Sequence, residues 1–177
     1  MTASQRIRAD RRLRRLERTS VRLDRTVKAY RIGAANNKYP IFDGTGSSFF
    51  PGRWNTGRCR IIYTAEHYST ALLEKLVHSN TGKIPKNQQW IEITIPVGIS
   101  YETVTLDSIP NWKDSDITKK FGDRWLTEKR SCILFVPSII APVDNNILIN
   151  EFHSQFPKLT TSLNKPVIWD RRLFFET

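Results

Sequence analysis

One continuous stretch, from Gly52 to His78, constrains the fold most strongly, because a turn, a strand and a helix follow one another in it without a break. Residues 60–64 alternate between polar and apolar side chains and include two isoleucines, which is typical of a half-buried strand. Ser69 is a favourable N-cap, and apolar residues at helical spacing follow it. These residues are Ala71, Leu72, Leu73, Leu76 and Val77. The stretch therefore predicts a strand that ends at Tyr63 and leads directly into a helix.

An arginine, a tyrosine and a glutamate of this stretch lie on three successive elements. Arg53 lies in the turn, Tyr63 at the end of the strand, and Glu74 on the helix. A carboxylate in the first turns of a helix is favoured by the helix dipole and can point towards the end of the preceding strand. Taken singly, Glu74 is also explained as a solvated partner of Lys75, and Arg53 as an ordinary loop residue. Only their combination points to a site.

Cysteine usage and hydropathy exclude several classes of protein. Cys59 and Cys132 are too few for a disulfide framework and lie in no zinc-binding spacing, so we predict no metal site. No apolar run reaches the length of a membrane span, and the arginine-rich start lacks the apolar core of a secretory signal. We therefore expect a cytoplasmic protein. Neither a Rossmann nor a P-loop glycine motif occurs.

Positive charge is concentrated at the start of the chain. The net charge is +11, and residues 1–30 contribute +7 of it through nine arginines and one lysine against three acidic residues. Leu13, Leu16, Leu23 and Val27 recur at helical steps, which predicts a basic helix within an N-terminal extension, residues 1–28. Such a helix can dock on its own domain, on a protein partner, on a second copy of the chain or on nucleic-acid phosphates.

The rest of the chain alternates between strand and helix patterns. Strands are predicted at 27–32, 88–96, 132–136, 147–149 and 166–169, a helix at 114–129, and an irregular loop at 34–52. The continuous apolar run at 132–136 is typical of a central buried strand, and Ser138 follows it. Because no Gly-x-Ser-x-Gly motif surrounds Ser138, we reject a serine-hydrolase nucleophile.

Several motifs occur together in a fixed order. The Gly-Arg-Trp-Asn turn is followed, ten residues after Arg53, by Tyr63 and, eleven residues later, by Glu74 within an Ala-Leu-Leu-Glu-x-Leu-Val-His run. Downstream come Gly-Asp-x-Trp at 122–125, Val-Pro-Ser at 136–138, Asn-x-Leu-Ile-Asn at 146–150, His153 and Asp-x-Arg-Leu at 170–173. This ordered set, across residues 29–175, resembles the RES domain, the toxin half of RES–Xre toxin–antitoxin modules.

The resemblance implies an α+β fold with an ADP-ribosyltransferase-like core, in which small mixed β-sheets and flanking helices surround an NAD cleft. The RES domain would span residues 29–177, preceded here by the basic N-terminal helix. The implied activity is that of a toxin that degrades NAD+ by cleaving its nicotinamide–ribose bond, with no cofactor beyond NAD+ as substrate. The implied partner is an Xre-like antitoxin. DNA contact would run through that antitoxin or the basic N-terminus, and homodimerisation stays open.

The resemblance also implies a set of site residues. The catalytic set is Glu74, Arg53, Tyr63 and Ser138, and the residues expected to bind NAD+ are Arg31, Arg53, Tyr63 and Ser138. The two arginines suit the diphosphate, the tyrosine suits nicotinamide or ribose, and the serine suits the nicotinamide amide or a nearby hydroxyl. The carboxylate of Glu74 would stabilise positive charge on the ribose.

Two questions stay open at this stage. The acceptor of the ADP-ribose can be water, inorganic phosphate or a protein side chain, the last making the chain a protein ADP-ribosyltransferase. Alternatively, the chain is a non-enzymatic nucleic-acid-binding or partner-binding module that uses its arginine-rich N-terminus. Asn146, Asn150 and His153 are interpreted as hydrogen-bond partners that fix loops, outside the catalytic set.

Overall fold

The computed structural model describes residues 21–34, 39–79, 84–105, 107–109 and 115–174. Nine strands of this part of the chain form one sheet in the order β1-β5-β6-β7-β3-β2-β4-β8, with β9 pairing to β4. The strands are β1 (Val21–Arg22), β2 (Val27–Ala34), β3 (Ile62–Ala65), β4 (Gln88–Ile95), β5 (Ser100–Thr103), β6 (Ile133–Pro137), β7 (Asn145–Ile149), β8 (Thr160–Thr161) and β9 (Lys165–Pro166).

The sheet is mixed, because β5 and β6 run parallel while the other pairs are antiparallel. In the described ranges three α-helices accompany it: α1 (Thr45–Phe49), α2 (Tyr68–Ser79) and α3 (Ser115–Thr127). Two short 3₁₀ helices follow, at Phe156–Lys158 and Arg171–Leu173. The predicted α+β class is confirmed at this level, although the strands form one continuous sheet instead of several small ones. None of the helices in the described ranges is long and apolar enough to cross a membrane.

The sheet is nearly divided between β2 and β3. All eight residues of β2 pair with β4, whereas only Tyr30 pairs with β3, through Ala65. Beyond Tyr30, the edge of β2 that faces β3 therefore makes no ladder hydrogen bonds to it. This division separates a β1-β5-β6-β7-β3 half from a β2-β4-β8-β9 half.

Each face of the sheet has its own apolar core, as alternating side chains require. On one face Ile62, Ile93, Ile133 and Ile147 belong to a single buried cluster. On the other face the cluster combines strand residues with α3 and with the turn before β3. Its members include Trp54, Phe121, Trp125, Leu134 and Leu148. Fully burying each large apolar side chain contributes about 1.5–3 kcal/mol, so α3 is held firmly against this second face.

The first described residues differ from the predicted N-terminal helix. Val21–Arg22 is a strand paired with β5, and Leu23 is 7% exposed within the first core. Val27 opens β2, so the predicted boundary at residue 28 falls inside a strand. The helical prediction is therefore wrong for residues 21–28. The apolar spacing there is explained by two strands joined through a buried leucine, and β-branched valines favour that conformation. Leu13 and Leu16 lie outside the described residues.

Other elements agree with the predicted ones to within a few residues. The predicted central strand is fully buried as β6, between β5 and β7. Several elements were not predicted. Helix α1 lies in the segment interpreted as an irregular loop, and β5 follows the tight turn at Gly98. The short strands β1 and β8 and the two 3₁₀ helices were not predicted either. The last predicted strand, 166–169, is shorter and starts earlier, as Lys165–Pro166.

Candidate active site

A row of side chains crosses one face of the sheet where its two halves meet. Val136 of β6 lies opposite Asn146 of β7, Asn146 opposite Ala65 of β3, and Ala65 opposite Tyr30 of β2. Direct cross-strand partners point to the same face, with Cβ atoms about 4.5–5.5 Å apart. This is the face that carries Leu134 and Leu148 of the second core. Asn146 is therefore the polar group in the middle of an otherwise apolar and aromatic row.

Helix α2 places Glu74 over this row. Thr70 and Ala71 are buried, and residues three and four positions apart share a helix face, so Glu74 points in the same direction. Its Oε1 atom accepts a hydrogen bond of 2.6 Å from Asn146 Nδ2 and one of 3.0 Å from Ser138 Oγ. A quarter of the Glu74 side chain is exposed to solvent. The carboxylate is thus partly buried and held by two donors, and it does not lie on an open flank.

The start of α2 is fixed by contacts on both sides. The Thr70 hydroxyl donates to the Asp144 carboxylate on the loop before β7. The Tyr68 ring packs edge-on against Tyr30, with centroids 6.2 Å apart, and lies 5.0 Å from the Trp90 ring. Because these contacts involve three different strands or loops, the orientation of α2, and with it the position of Glu74, is set by the sheet.

Ser138 follows directly on the buried strand β6. It is fully buried, its backbone N–H donates to the Asp144 carbonyl at 3.0 Å, and its Oγ accepts from Ala141 N at 3.1 Å. The hydroxyl donates its proton to Glu74, 3.0 Å away. A hydroxyl that donates to a carboxylate and accepts from a backbone N–H is fixed in orientation. It can hold the carboxylate, and its contacts do not include the histidine base that a serine nucleophile needs.

His78 lies on the outer side of the same carboxylate. Its Nε2 atom is 4.0 Å from Glu74 Oε2, one helical turn further on, and its side chain is 80% exposed. The imidazole attracts the carboxylate only when it is protonated. The two donors from the sheet both reach Oε1, so Oε2 is the oxygen directed towards the helix flank.

Tyr63 forms a second group, centred on the turn before β3. Its phenol donates to Asn55 Oδ1 at 2.7 Å and accepts from Trp54 N at 3.1 Å. A Cβ on Gly52 would lie 2.6 Å from Tyr63 Cζ, so only glycine fits against the ring. Burial raises the pKa of the phenol, which therefore stays protonated. The phenol thus orders the Gly-Arg-Trp-Asn turn.

The turn that carries Arg53 is also held by helix α3. The Thr118 hydroxyl donates to the Arg53 carbonyl at 2.8 Å, and the Trp54 ring packs edge-on against Phe121 with centroids 6.2 Å apart. Gly122 lies so close to the Trp54 carbonyl that an added Cβ would be 1.8 Å from that oxygen. Arg53 is therefore presented from a turn that is fixed by backbone and side-chain contacts.

Arg31 lies where β2 and β3 separate, directly after Tyr30. Its Nη1 donates to the Asp43 carbonyl at 2.9 Å. Burial lowers the pKa of this guanidinium to about 10, against the opposing effects of Asp43 and Glu151, so it is cationic at neutral pH. Strand alternation places its Cβ on the face of Ala29, opposite the row that includes Asn146.

The predicted residues are thus brought together to different degrees. Glu74 and Ser138 are in direct contact. Tyr63 lies opposite Leu148, and is therefore a diagonal neighbour of Asn146 on the same face, at a Cβ separation of about 7–8 Å. Arg53 belongs to the turn that Tyr63 holds, whereas Arg31 contacts the loop at Asp43.

Asn146 was assigned to loop fixing, and the structure places it against Glu74 instead. The signal that points to this position is the alternation along β7. Ile147 and Ile149 face the first core, so Asn146 and Leu148 must share the other face. A polar residue on that buried face indicates a specific partner.

Metal or thiol chemistry finds no support among the described residues. No three His, Cys, Asp or Glu side chains of that part of the chain lie close enough to hold a metal ion. Burial, together with a hydrogen bond to Asp123, raises the pKa of Cys59 to about 12, and burial alone raises that of Cys132 to about 12. Both thiols are therefore protonated at neutral pH.

Comparison with known proteins places these features in a family. The family model for the RES domain matches residues 28–170. The Prs ADP-ribosylating toxin of Sphingobium sp. (strain YBL2) is 31% identical over 156 residues, covering 84% of this chain and 97% of that protein. Toxin Res of Photorhabdus laumondii is 30% identical over 141 residues, covering 77% of this chain and 89% of its own length.

The fold is similar to a solved structure from a more distant protein. A chain of the M. tuberculosis MbcT–MbcA toxin–antitoxin complex superposes with a TM-score of 0.69 at 14% identity, covering 89% of this chain and 92% of that one. At this identity the likeness concerns the fold alone. Since the family model spans most of the chain, and relatives of about the same length exceed or reach 30% identity, this chain belongs to the RES domain family.

Proposed function

We propose that the chain is the toxin of a toxin–antitoxin system and that it degrades NAD+ by cleaving the bond between nicotinamide and ribose. The observation that carries the proposal is the Glu74 carboxylate, partly buried and held through Oε1 by Ser138 and Asn146. The name of one relative, an ADP-ribosylating toxin, supports this chemistry, since ADP-ribose is transferred from NAD+, and the name Toxin Res of another supports the role of a toxin. The division between β2 and β3 supports an ADP-ribosyltransferase-like cleft.

The reaction needs charge stabilisation more than a strong base. The nicotinamide nitrogen is cationic in NAD+, so it takes the electron pair of the breaking bond and leaves as a neutral amide. The ribose carbon that it leaves becomes an oxocarbenium-like cation. A carboxylate fixed beside that carbon stabilises the cation and accepts a hydrogen bond from a ribose hydroxyl, which strengthens as charge develops. Water then attacks the carbon and loses a proton to solvent.

The remaining site residues bind and orient NAD+ in this proposal. Arg53 binds the diphosphate. Arg31, whose Cβ lies on the opposite face of the sheet, reaches it through the gap beyond Tyr30 where β2 and β3 separate, and exchanges the Asp43 carbonyl for a charged partner, which makes the stronger hydrogen bond. The Tyr63 ring contributes an aromatic wall while its phenol holds the turn. Ser138 acts through Glu74, because its hydroxyl already donates to that carboxylate.

The first prediction tests the carboxylate. Glu74→Gln removes the charge and keeps the shape, so nicotinamide release from NAD+ should fall by about 100-fold or more, as when an electrostatic group of a transition state is lost. Release is measured by chromatography on purified protein. The matched control is Glu128→Gln, a half-exposed glutamate just after α3 that pairs with Arg124. Turnover of Glu74→Gln close to that of Glu128→Gln would remove Glu74 from the mechanism.

A second candidate is the transfer of ADP-ribose to a protein, and the name of the Sphingobium relative, an ADP-ribosylating toxin, favours it. Water and inorganic phosphate are the acceptors of the first candidate. Mass analysis separates the three outcomes: free ADP-ribose for water, its 1″-phosphate when phosphate is supplied, and a protein of increased mass for protein modification. We expect the first or second product, with no modified protein required for turnover.

The proposed partner is a cognate antitoxin with an Xre-like DNA-binding domain. Its support is the fold likeness to a chain solved as part of a toxin–antitoxin complex. DNA contact by this system would then run through the antitoxin. Co-expression of this chain with the product of the neighbouring gene should yield one complex on size-exclusion chromatography that no longer releases nicotinamide.

A further inference from the structure

Asn146 contacts Glu74, although it is not among the predicted site residues. It is the second residue of β7 and lies between its cross-strand partners Val136 and Ala65. Its Nδ2 donates a hydrogen bond to Glu74 Oε1 at 2.6 Å. The amide orientation follows from chemistry, because the opposite orientation would bring a carbonyl oxygen against a carboxylate. The contact is therefore a hydrogen bond from a neutral donor to a charged acceptor, the stronger class.

We propose that Asn146 is a positioning residue for the NAD+ reaction: together with Ser138 it holds Oε1 of Glu74 and so directs Oε2 to the ribose. This inference rests on the proposed function. Both sheet-side donors bind the same oxygen, at 2.6 and 3.0 Å, which fixes the plane of the carboxylate. The second oxygen is left on the side of the exposed His78.

The surroundings of Asn146 argue against a purely structural role. Its Oδ1 is buried and receives no hydrogen bond from the described residues. A buried acceptor without a donor costs about 1–3 kcal/mol, a cost that an apolar side chain between Val136 and Ala65 would avoid. An amide at this position therefore destabilises the fold locally. The contact with Glu74 explains why an amide is present there.

Asparagine also differs from aspartate in a way that can be measured. Asn146→Asp keeps the shape but places a second carboxylate against Oε1, and two carboxylates in contact share a proton instead of ionising independently. In this variant both carboxyl groups are therefore ionised only at a higher pH than a single carboxyl group would be. Other ionisable groups near the pair are His78 and Lys75 on α2, Asp144 before β7, Glu66 directly after β3, and Tyr30 across the sheet.

The chain offers a matched control one residue away. Asn145 donates its Nδ2 to Glu66 Oε2 at 2.9 Å, so Asn145→Asp makes the same substitution beside a different glutamate. Asn146→Ala serves as the variant without added charge, in case Asn146→Asp does not fold. Folding of each variant is checked by thermal denaturation.

The test is the pH profile of nicotinamide release, with kcat and KM measured separately. For Asn146→Asp we expect kcat at neutral pH to fall about tenfold or more and the acidic limb to move by about one pH unit to higher pH. For Asn146→Ala we expect a similar fall in kcat with an unshifted limb, since a misplaced carboxylate slows the chemical step. Asn145→Asp should retain the wild-type profile.

Two results would overturn the inference. One is an Asn146→Asp profile that superimposes on wild type, and the other is an Asn145→Asp profile that shifts equally. A readout independent of turnover is the carboxyl ¹³C titration of Glu74, which should move in Asn146→Asp and not in Asn145→Asp. If wild-type protein releases no nicotinamide, the proposed function fails, while this titration still decides whether Asn146 controls Glu74.

Discussion

The phenol of Tyr63, a residue expected to contact the ligand, makes hydrogen bonds that stabilise the fold. It contacts both Asn55 and the Trp54 backbone, so Tyr63→Phe leaves two buried polar groups without that partner. We expect the free energy of unfolding to fall by about 1–3 kcal/mol. Urea denaturation measures it. Tyr101→Phe is the control, because the Tyr101 phenol donates to no described residue and the ring, which packs edge-on against Phe135 at the first core, is kept. Equal stability of the two variants would contradict the contact.

The two cysteines give a second prediction at this scale. Burial keeps both thiols protonated, with pKa values of about 12, and the thiolate is the form that reacts. Native protein should therefore not react with a disulfide reagent at neutral pH within minutes, whereas unfolded protein should expose both thiols. The number of thiols that react is measured from the absorbance of the thiolate that the reagent releases. Rapid reaction of a thiol in the native state would show that the core around it opens.

At the residue level the sequence did not predict what each named side chain contacts, and the catalytic role of those side chains stays a prediction. Glu74 and Ser138 were named from motifs, and they touch. The inward hydrogen bonds of Tyr63 and the partner of Asn146 depend on where α2 and the turn lie on the sheet, which no local pattern specifies. Arg31 was assigned to the site by the family resemblance, and in this structure it donates to the Asp43 carbonyl.

Helix α3 holds the turn that carries Arg53, and Gly122 is its point of closest approach. In an exposed helix, replacing glycine by alanine stabilises by up to about 1 kcal/mol. Here the new Cβ would be 1.8 Å from the Trp54 carbonyl oxygen, so the sign should reverse. Gly122→Ala should lower the free energy of unfolding by about 1–3 kcal/mol or more, the usual cost of overpacking, and reduce nicotinamide release as the turn shifts.

Gly46→Ala is the matched control for this prediction. Gly46 also lies in a helix, α1, and nothing lies within 4 Å of the Cβ that alanine would add. Its stability in urea should equal or exceed that of wild type, and its turnover should be unchanged. If Gly122→Ala behaves like Gly46→Ala, α3 does not pack against the turn as described.

Elements with a strong period were predictable, and those fixed by distant partners were not. The buried run of β6 and the alternation of β4 are visible in the sequence, because burial on two faces or on one sets their composition. Strand β5 has only four residues, and it forms because β1 and β6 lie on either side of it. Residues 21–28 have a spacing that suits a helix, but Leu23 bonds to the backbone of Gly98 and Ile99 and enters the core.

At the scale of the whole molecule, two truncations test whether the basic N-terminus binds nucleic acid or takes part in the NAD+ reaction. Residues 1–20 contain seven arginines against Asp10 and Glu17, hence a net +5 of the total +11. Removing them leaves β1, Leu23 and β2 intact, so we expect nicotinamide release within about twofold of wild type. Any salt-sensitive binding to nucleic acid should be lost with them.

Removing residues 1–28 should behave differently, although the additional segment is short. It deletes strand β1, the buried Leu23 and the first residues of β2, including Lys28, whose Nζ is 2.7 Å from Glu92. Losing a buried leucine alone costs about 2–5 kcal/mol, comparable to much of the stability of a small domain, so this variant should be largely unfolded. Circular dichroism and nicotinamide release report both effects. The variant that lacks only residues 1–20 should fold and remain active. If it folds but has lost turnover, the arginine-rich segment takes part in the reaction, and the sheet and α2 do not suffice for it.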